Sequence, residues 1–158
     1  MLAARSIYGR LIDFFGGAQP TPQTILDADP EEMRAAAGLS RAKVTFLRSL
    51  AEHVLSGELE LDRIGQLPDD ELVAELTAVK GLGTWTAHMF MIFELGREDV
   101  LATGDLGIRR AAERAYELDD LPAATDLEQM AEPWRPHRSA ACLLLWHSLA
   151  NAPADPAA

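Results

Sequence analysis

Leu76-Thr77-Ala78-Val79-Lys80-Gly81-Leu82-Gly83-Thr84-Trp85-Thr86-Ala87 is the stretch on which the fold turns. A helix-forming run ends at Val79, two glycines flank a single leucine, and a second helix-forming run begins at Thr84. Glycine permits a sharp turn and lets backbone approach a ligand closely. The helix that follows offers free amides and the positive end of its dipole to an anion. Such a contact holds a phosphate without reading a base. A plain packing corner between two helices carries the same two glycines, and the segment alone leaves both readings open.

Outward from the hairpin the chain reads as all-helical, because no stretch alternates with period two for long enough to make a strand. Toward the N-terminus, a helix is expected from the start to Phe15, stopped by Gly16-Gly17, with Ile7, Leu11, Phe14 and Phe15 at helical spacing. Thr21-Pro22 opens a short helix. Asp29-Pro30-Glu31-Glu32 has capping-box spacing and opens another, closed by Gly38. Ser40 caps a long helix to Ser56 with Gly57 as its stop, and Pro68-Asp69 starts the helix that leads into the hairpin. Beyond the hairpin, Thr84–Leu95 is apolar nearly all round and is expected to be the central buried helix. Asp105 stands at the start of a helix to about Tyr116, Thr125-Asp126-Leu127-Glu128 has the spacing of a second capping box, and Pro136 opens the last helix to about Ala150. The expected organisation is one domain over 1–151 and a disordered tail over 152–158.

The 158 residues carry a formal charge of −11, with 48% hydrophobic and 25% charged residues. DNA-binding proteins ordinarily show a basic footprint. Here the acids are segregated: there is none between Glu75 and Glu94, Asp105 is the only one from Val100 to Ala112, and there is none from Pro133 to Asn151. Those segments hold Lys80, Arg109, Arg110, Arg135 and Arg138. Binding through them would be modest and salt-sensitive. One cysteine, Cys142, excludes an internal disulfide and any four-cysteine metal or iron–sulfur site. No apolar run reaches membrane-spanning length, so no membrane association is expected, and without an export signal the expected compartment is the cytoplasm. His88, His137 and His147 lack metal-ligand spacing.

Read from its own surroundings, Asp105 is an N-cap aspartate. Three segments in order change its weight. Val79–Ala87 resembles the hairpin of the helix-hairpin-helix DNA glycosylase superfamily, in particular its DNA-3-methyladenine glycosylase II branch. Asp99-Val100-Leu101-Ala102-Thr103-Gly104-Asp105-Leu106-Gly107-Ile108-Arg109-Arg110 is similar to the loop carrying that family's catalytic aspartate. Ala131–Ser139, continuing to Trp146, resembles the branch's C-terminal signature. The match runs to Asn151.

The resemblance implies a helix-hairpin-helix glycosylase fold. It implies a monofunctional hydrolysis of the N-glycosidic bond of alkylated bases of the 3-methyladenine type, in base excision repair, by a monomer acting on double-stranded DNA. Asp105 would be the catalytic carboxylate, opposing the positive charge that builds on the sugar. Trp85, Met89 and Trp146 would line the base pocket, where aromatic faces suit a flipped cationic base, although tryptophans on apolar helices are ordinarily core. Trp134 is read as core. Lys80, Gly81, Leu82, Gly83, Thr84, Thr86 and Arg109 would meet DNA. The carbonyls of Thr77, Val79 and Gly81 would hold a structural Na+ or K+, with no other cofactor required. Trp85 stands where bifunctional relatives carry a lysine nucleophile, so strand cleavage is not expected. By the same resemblance the chain begins inside a family helix and lacks part of the N-terminal region, including a Gly-Gln-Gln-like turn that wedges into the base stack. This keeps an alternative in view: a non-catalytic helix-hairpin-helix DNA-binding module. A helical protein-interaction domain with an incidental hairpin is a third, weaker one.

Overall fold

The computed structural model describes residues 2–150, and the side chains of residues 4–149. The expected tail over 152–158 therefore lies outside the described residues. The described residues form helices and no strand, and divide into two compact units, Met1–Gly83 and Thr84–Ala158.

The first unit contains α1 (Leu2–Phe14), α2 (Pro22–Asp27), α3 (Pro30–Ala37), α4 (Arg41–Ser56), the single turn α5 (Leu61–Ile64) and α6 (Asp69–Ala78). Its starts follow local capping chemistry. Thr21 accepts from the Thr24 amide, Asp29 Oδ1 accepts from the amides of Glu31 and Glu32, and Ser40 accepts from that of Lys43. Gly38 and Gly57 close α3 and α4 in left-handed backbone. Leu11, Met33, Ala37, Leu39 and Val44 form a buried cluster, with Ile7, Phe14, Phe15 and Leu47 packed against it. Arg48 donates to the carbonyls of Ile25, Leu26 and Ala28, tying α4 to the end of α2.

The second unit contains α7 (Thr84–Phe93), α8 (Leu106–Ala115), α9 (Ala124–Met130), a 3-10 turn (Glu132–Trp134) and α10 (Arg138–Ala150). Ile108, Ala111 and Ala112 of α8 face Cys142 and Leu145 of α10 and Leu127 of α9 in one core, where small alanines let the helices approach closely. Burial pushes the Cys142 thiol up, and no part of it is accessible.

A long-range clamp fixes the start of α10. Arg138 Nε donates to Asp99 Oδ1 at 2.6 Å, and its Nη2 donates to Asp99 Oδ2 at 3.0 Å. Arg135 reaches the same carboxylate at 2.8 Å. Buried Ser139 donates to the Arg97 carbonyl at 2.6 Å and accepts from the Val100 amide at 3.0 Å.

Two expectations need correction. The helix from Thr84 is not buried all round: Ala87, Met91 and Ile92 are buried, but Trp85 is 50% and Phe93 59% exposed. An even apolar distribution does not reveal which side is left open. The capping box expected from Thr125 is displaced, for α9 begins at Ala124 and Asp126 accepts from the Ala123 amide at 3.0 Å. Trp134, read as core, is half-buried against the second unit's core; it stacks on Tyr116 and donates to its hydroxyl. No described helix is long and apolar enough to cross a membrane.

Candidate active site

Asp105 caps α8: its backbone is extended, and its Oδ1 accepts from the Ile108 amide at 2.8 Å. The same oxygen accepts from the Trp146 indole Nε1 at 2.9 Å, and Oδ2 accepts from the Trp85 indole Nε1 at 2.7 Å. Two tryptophans, from α7 and α10, thus donate to opposite oxygens of one helix-capping carboxylate. Indole N–H is a donor with no acceptor capacity. Partial burial pushes the Asp105 carboxyl up. The bonds from Trp146, the Ile108 amide, Trp85 and the Gly107 amide outweigh it and hold the carboxyl below the usual range. The arrangement delivers a fixed, ionised carboxylate at neutral pH.

Trp85, Met89 and Phe93 recur at i, i+4 and i+8 on α7, one stripe of the helix. Phe93 stacks on Trp146 with ring centroids 5.7 Å apart and planes inclined by 23°. Met89 and Trp146 are half-buried and rest on the second unit's core. An open aromatic surface therefore borders the carboxylate. Trp85, Met89 and Trp146 are the pocket residues expected from the sequence, and the structure adds Phe93. The i+8 spacing from Trp85 was the available signal, obscured by the expectation that α7 is buried on every side.

Arg109, read as a DNA contact, donates through Nε to the Pro122 carbonyl at 2.7 Å and ties α8 to the loop before α9. In the first unit, Lys80 and Gly81 are exposed and Leu82 half-buried. The turn closes through the Leu82 amide to the Val79 carbonyl at 3.0 Å. Gly81 has φ +94°, and a Cβ there would fall 2.0 Å from Phe46 Cγ, so both the backbone and the neighbouring ring require glycine. The Thr77 hydroxyl returns to the Val73 carbonyl at 2.8 Å. Gly83, Thr84 and Thr86 follow, with Thr84 exposed at the start of α7. Thr77, Val79 and Gly81 bring only neutral backbone oxygens, a donor set suited to a hard monovalent cation. Of these, the Thr77 carbonyl lies in the last turn of α6 and lacks a partner within its helix, whereas the Val79 carbonyl already accepts from the Leu82 amide.

The site is thus a helix-capping carboxylate gripped by two indoles beside an aromatic surface, in a chain that also carries a glycine hairpin. A family model described as HhH-GPD superfamily base excision DNA repair protein matches residues 1–136. The chain belongs to that superfamily, and within it to the DNA-3-methyladenine glycosylase family. It is 37% identical over 146 residues to DNA-3-methyladenine glycosylase 1 of Schizosaccharomyces pombe, covering 91% of this chain and 64% of that protein. The solved structure of the Schizosaccharomyces pombe 3-methyladenine DNA glycosylase in complex with abasic DNA is similar with a TM-score of 0.86 at 36% identity. That match covers 94% of this chain and 73% of the other. A DNA-3-methyladenine glycosidase from Bacillus halodurans gives a TM-score of 0.82 at 37% identity, covering 96% and 69%. The chain spans 64% of the length of the first relative and 45% of a putative Bacillus subtilis DNA-3-methyladenine glycosylase.

Proposed function

We infer that this chain hydrolyses the N-glycosidic bond of alkylated bases in double-stranded DNA, with Asp105 as the catalytic carboxylate. The observation that carries the reading is the grip of Trp85, Trp146 and the Ile108 amide on an ionised Asp105 beside the Trp85–Met89–Phe93 stripe. As the bond between C1′ and the base nitrogen breaks, its electron pair leaves with the base and positive charge builds on the sugar. A fixed carboxylate opposes that charge and orients water. Water adds to C1′ and its proton passes to solvent or to Asp105. A cationic base such as 3-methyladenine leaves neutral, so no acid need act on it, and the aromatic surface suits its charged face. With Trp85 at the position of the lysine nucleophile of bifunctional relatives, no covalent sugar intermediate is needed.

The abasic DNA in the Schizosaccharomyces pombe structure is what base removal leaves behind, and it supports DNA as this chain's partner. The hairpin would contribute through the Lys80–Gly83 backbone, and the start of α7 through the amides at Thr84 and Thr86. The carbonyls of Thr77, Val79 and Gly81 would hold Na+ or K+, offsetting phosphate charge without entering the chemistry. We place the protein in the cytoplasm as a monomer.

The test is base release from methylated duplex DNA. The wild type is expected to release free alkylated base, and Asp105→Asn to slow it about a hundredfold or more. Equal release by both would sink the assignment. The second reading of the sequence is a DNA-binding module without turnover. DNA binding with no release from the wild type would select it.

A further inference from the structure

Gly107 is the second residue of α8, two positions after Asp105. Its φ is not positive, so its backbone does not call for glycine. The space around it does. A Cβ built on Gly107 would lie 2.9 Å from Asp105 Oδ1, 3.4 Å from Trp146 Cδ1 and 3.5 Å from Trp146 Nε1. The first separation is too short for carbon against oxygen; the other two are ordinary contacts that leave the added carbon no room to move toward the indole. Neither neighbour can yield freely. Asp105 Oδ1 is held by the Ile108 amide and the Trp146 indole, and Oδ2 by the Trp85 indole. Trp146 is backed by its stack on Phe93. A side chain at position 107 must therefore push Asp105 Oδ1 from its place against the indole.

We propose that Gly107 is a positioning residue: its bare α-carbon is what allows the Trp146 indole and Asp105 Oδ1 to meet at hydrogen-bonding distance. The proposal rests on the catalytic reading of Asp105 for its effect on rate, but its geometry stands without it. It separates two properties that ordinary structural glycines join. Alanine is the better helix former, and the Gly107 backbone lies where any residue is allowed. Gly107→Ala is therefore expected to fold, its gain in helix propensity offsetting part of what the displaced carboxylate bonds lose, while the site loses its alignment. A carboxylate displaced by a fraction of an ångström from its productive place loses much of its effect on rate.

The experiment compares wild type and Gly107→Ala by four readouts: thermal melting, the assigned Trp146 indole N–H resonance, the NMR titration of the Asp105 carboxyl, and single-turnover release from methylated DNA with its Kd. The expected result is a folded protein melting close to the wild type, an indole resonance moved toward that of a weaker hydrogen bond, and an Asp105 titration moved upward toward the ordinary range. Release should slow about tenfold with Kd unchanged. An unaltered indole resonance and titration would overturn the proposal, as would a rate loss arising entirely from lowered melting. If the wild type releases no base, the catalytic reading fails, and the two NMR readouts alone decide the role of Gly107. Should Gly107→Ala not fold, Gly107→Ser is measured in its place, and failure of both to fold would overturn the proposal.

Discussion

Asp105 is a helix cap whose carboxylate also accepts from two indoles. The Ile108 amide bond is ordinary capping; the two indole bonds are not required by any helix. They have a consequence for acid behaviour. Because the folded carboxyl titrates below the unfolded value of about 3.9, its bonds contribute stability above that pH. The contribution is lost as pH falls through the folded value. On the proposed mechanism the ionised form is the one that acts, so single-turnover release should stay level across neutral pH and decline only below about pH 4. Trp146→Phe removes the foremost of the stabilising donors. Its acid limb should move to higher pH, and its melting temperature should fall less between pH 5 and pH 3 than that of the wild type. An unmoved limb in a pH–rate series would show that the indole does not govern the carboxyl.

Among the elements, the hairpin and α7 behave differently. Gly81 is fixed twice over, by φ +94° and by the Phe46 ring, whereas Gly83 has a negative φ and open space, with nothing within 4 Å of where a Cβ would stand. Gly81→Ala should destabilise by about 3 kcal/mol or more, combining backbone strain with overpacking. Gly83→Ala should stay within about 0.5 kcal/mol. Chemical denaturation checks both, and equal values would contradict the Phe46 contact. The contrast marks what the sequence made legible. The caps at Thr21, Asp29, Ser40 and Asp105, and the stops at Gly38 and Gly57, were readable because each depends on residues within one turn. The displaced start of α9 shows the limit of such rules, since Asp126 can serve an amide three residues back without a hydroxyl partner. The open side of α7, and with it Phe93, was hidden because exposure is decided by which helices arrive, not by the helix itself. The grip of Asp99 on Arg135 and Arg138 was equally out of reach, joining residues 36 and 39 positions apart.

For the molecule as a whole, charge is the governing quantity. Of the cations in the acid-free segments, Arg135 and Arg138 are paired with Asp99, Arg135 also with Glu132, and Arg109 is bonded to Pro122. Few remain to displace counterions, and backbone amides carry no net charge. The slope of log K for duplex DNA against log salt is therefore expected to be no steeper than about −3, corresponding to roughly three phosphates. A titration giving a much steeper slope would mean that the arginine pairs open on binding. Cys142 has a bearing on survival rather than on recognition. On the proposed function the protein acts where electrophiles attack DNA and meets the same electrophiles, and a thiolate is the side chain they attack first. The one thiol of this chain lies wholly inside the second unit's core, and burial keeps it protonated. Mass spectrometry after treatment with iodoacetamide should find Cys142 unmodified in the folded protein and modified in urea. Rapid modification of the folded protein would show that its core does not shield the thiol.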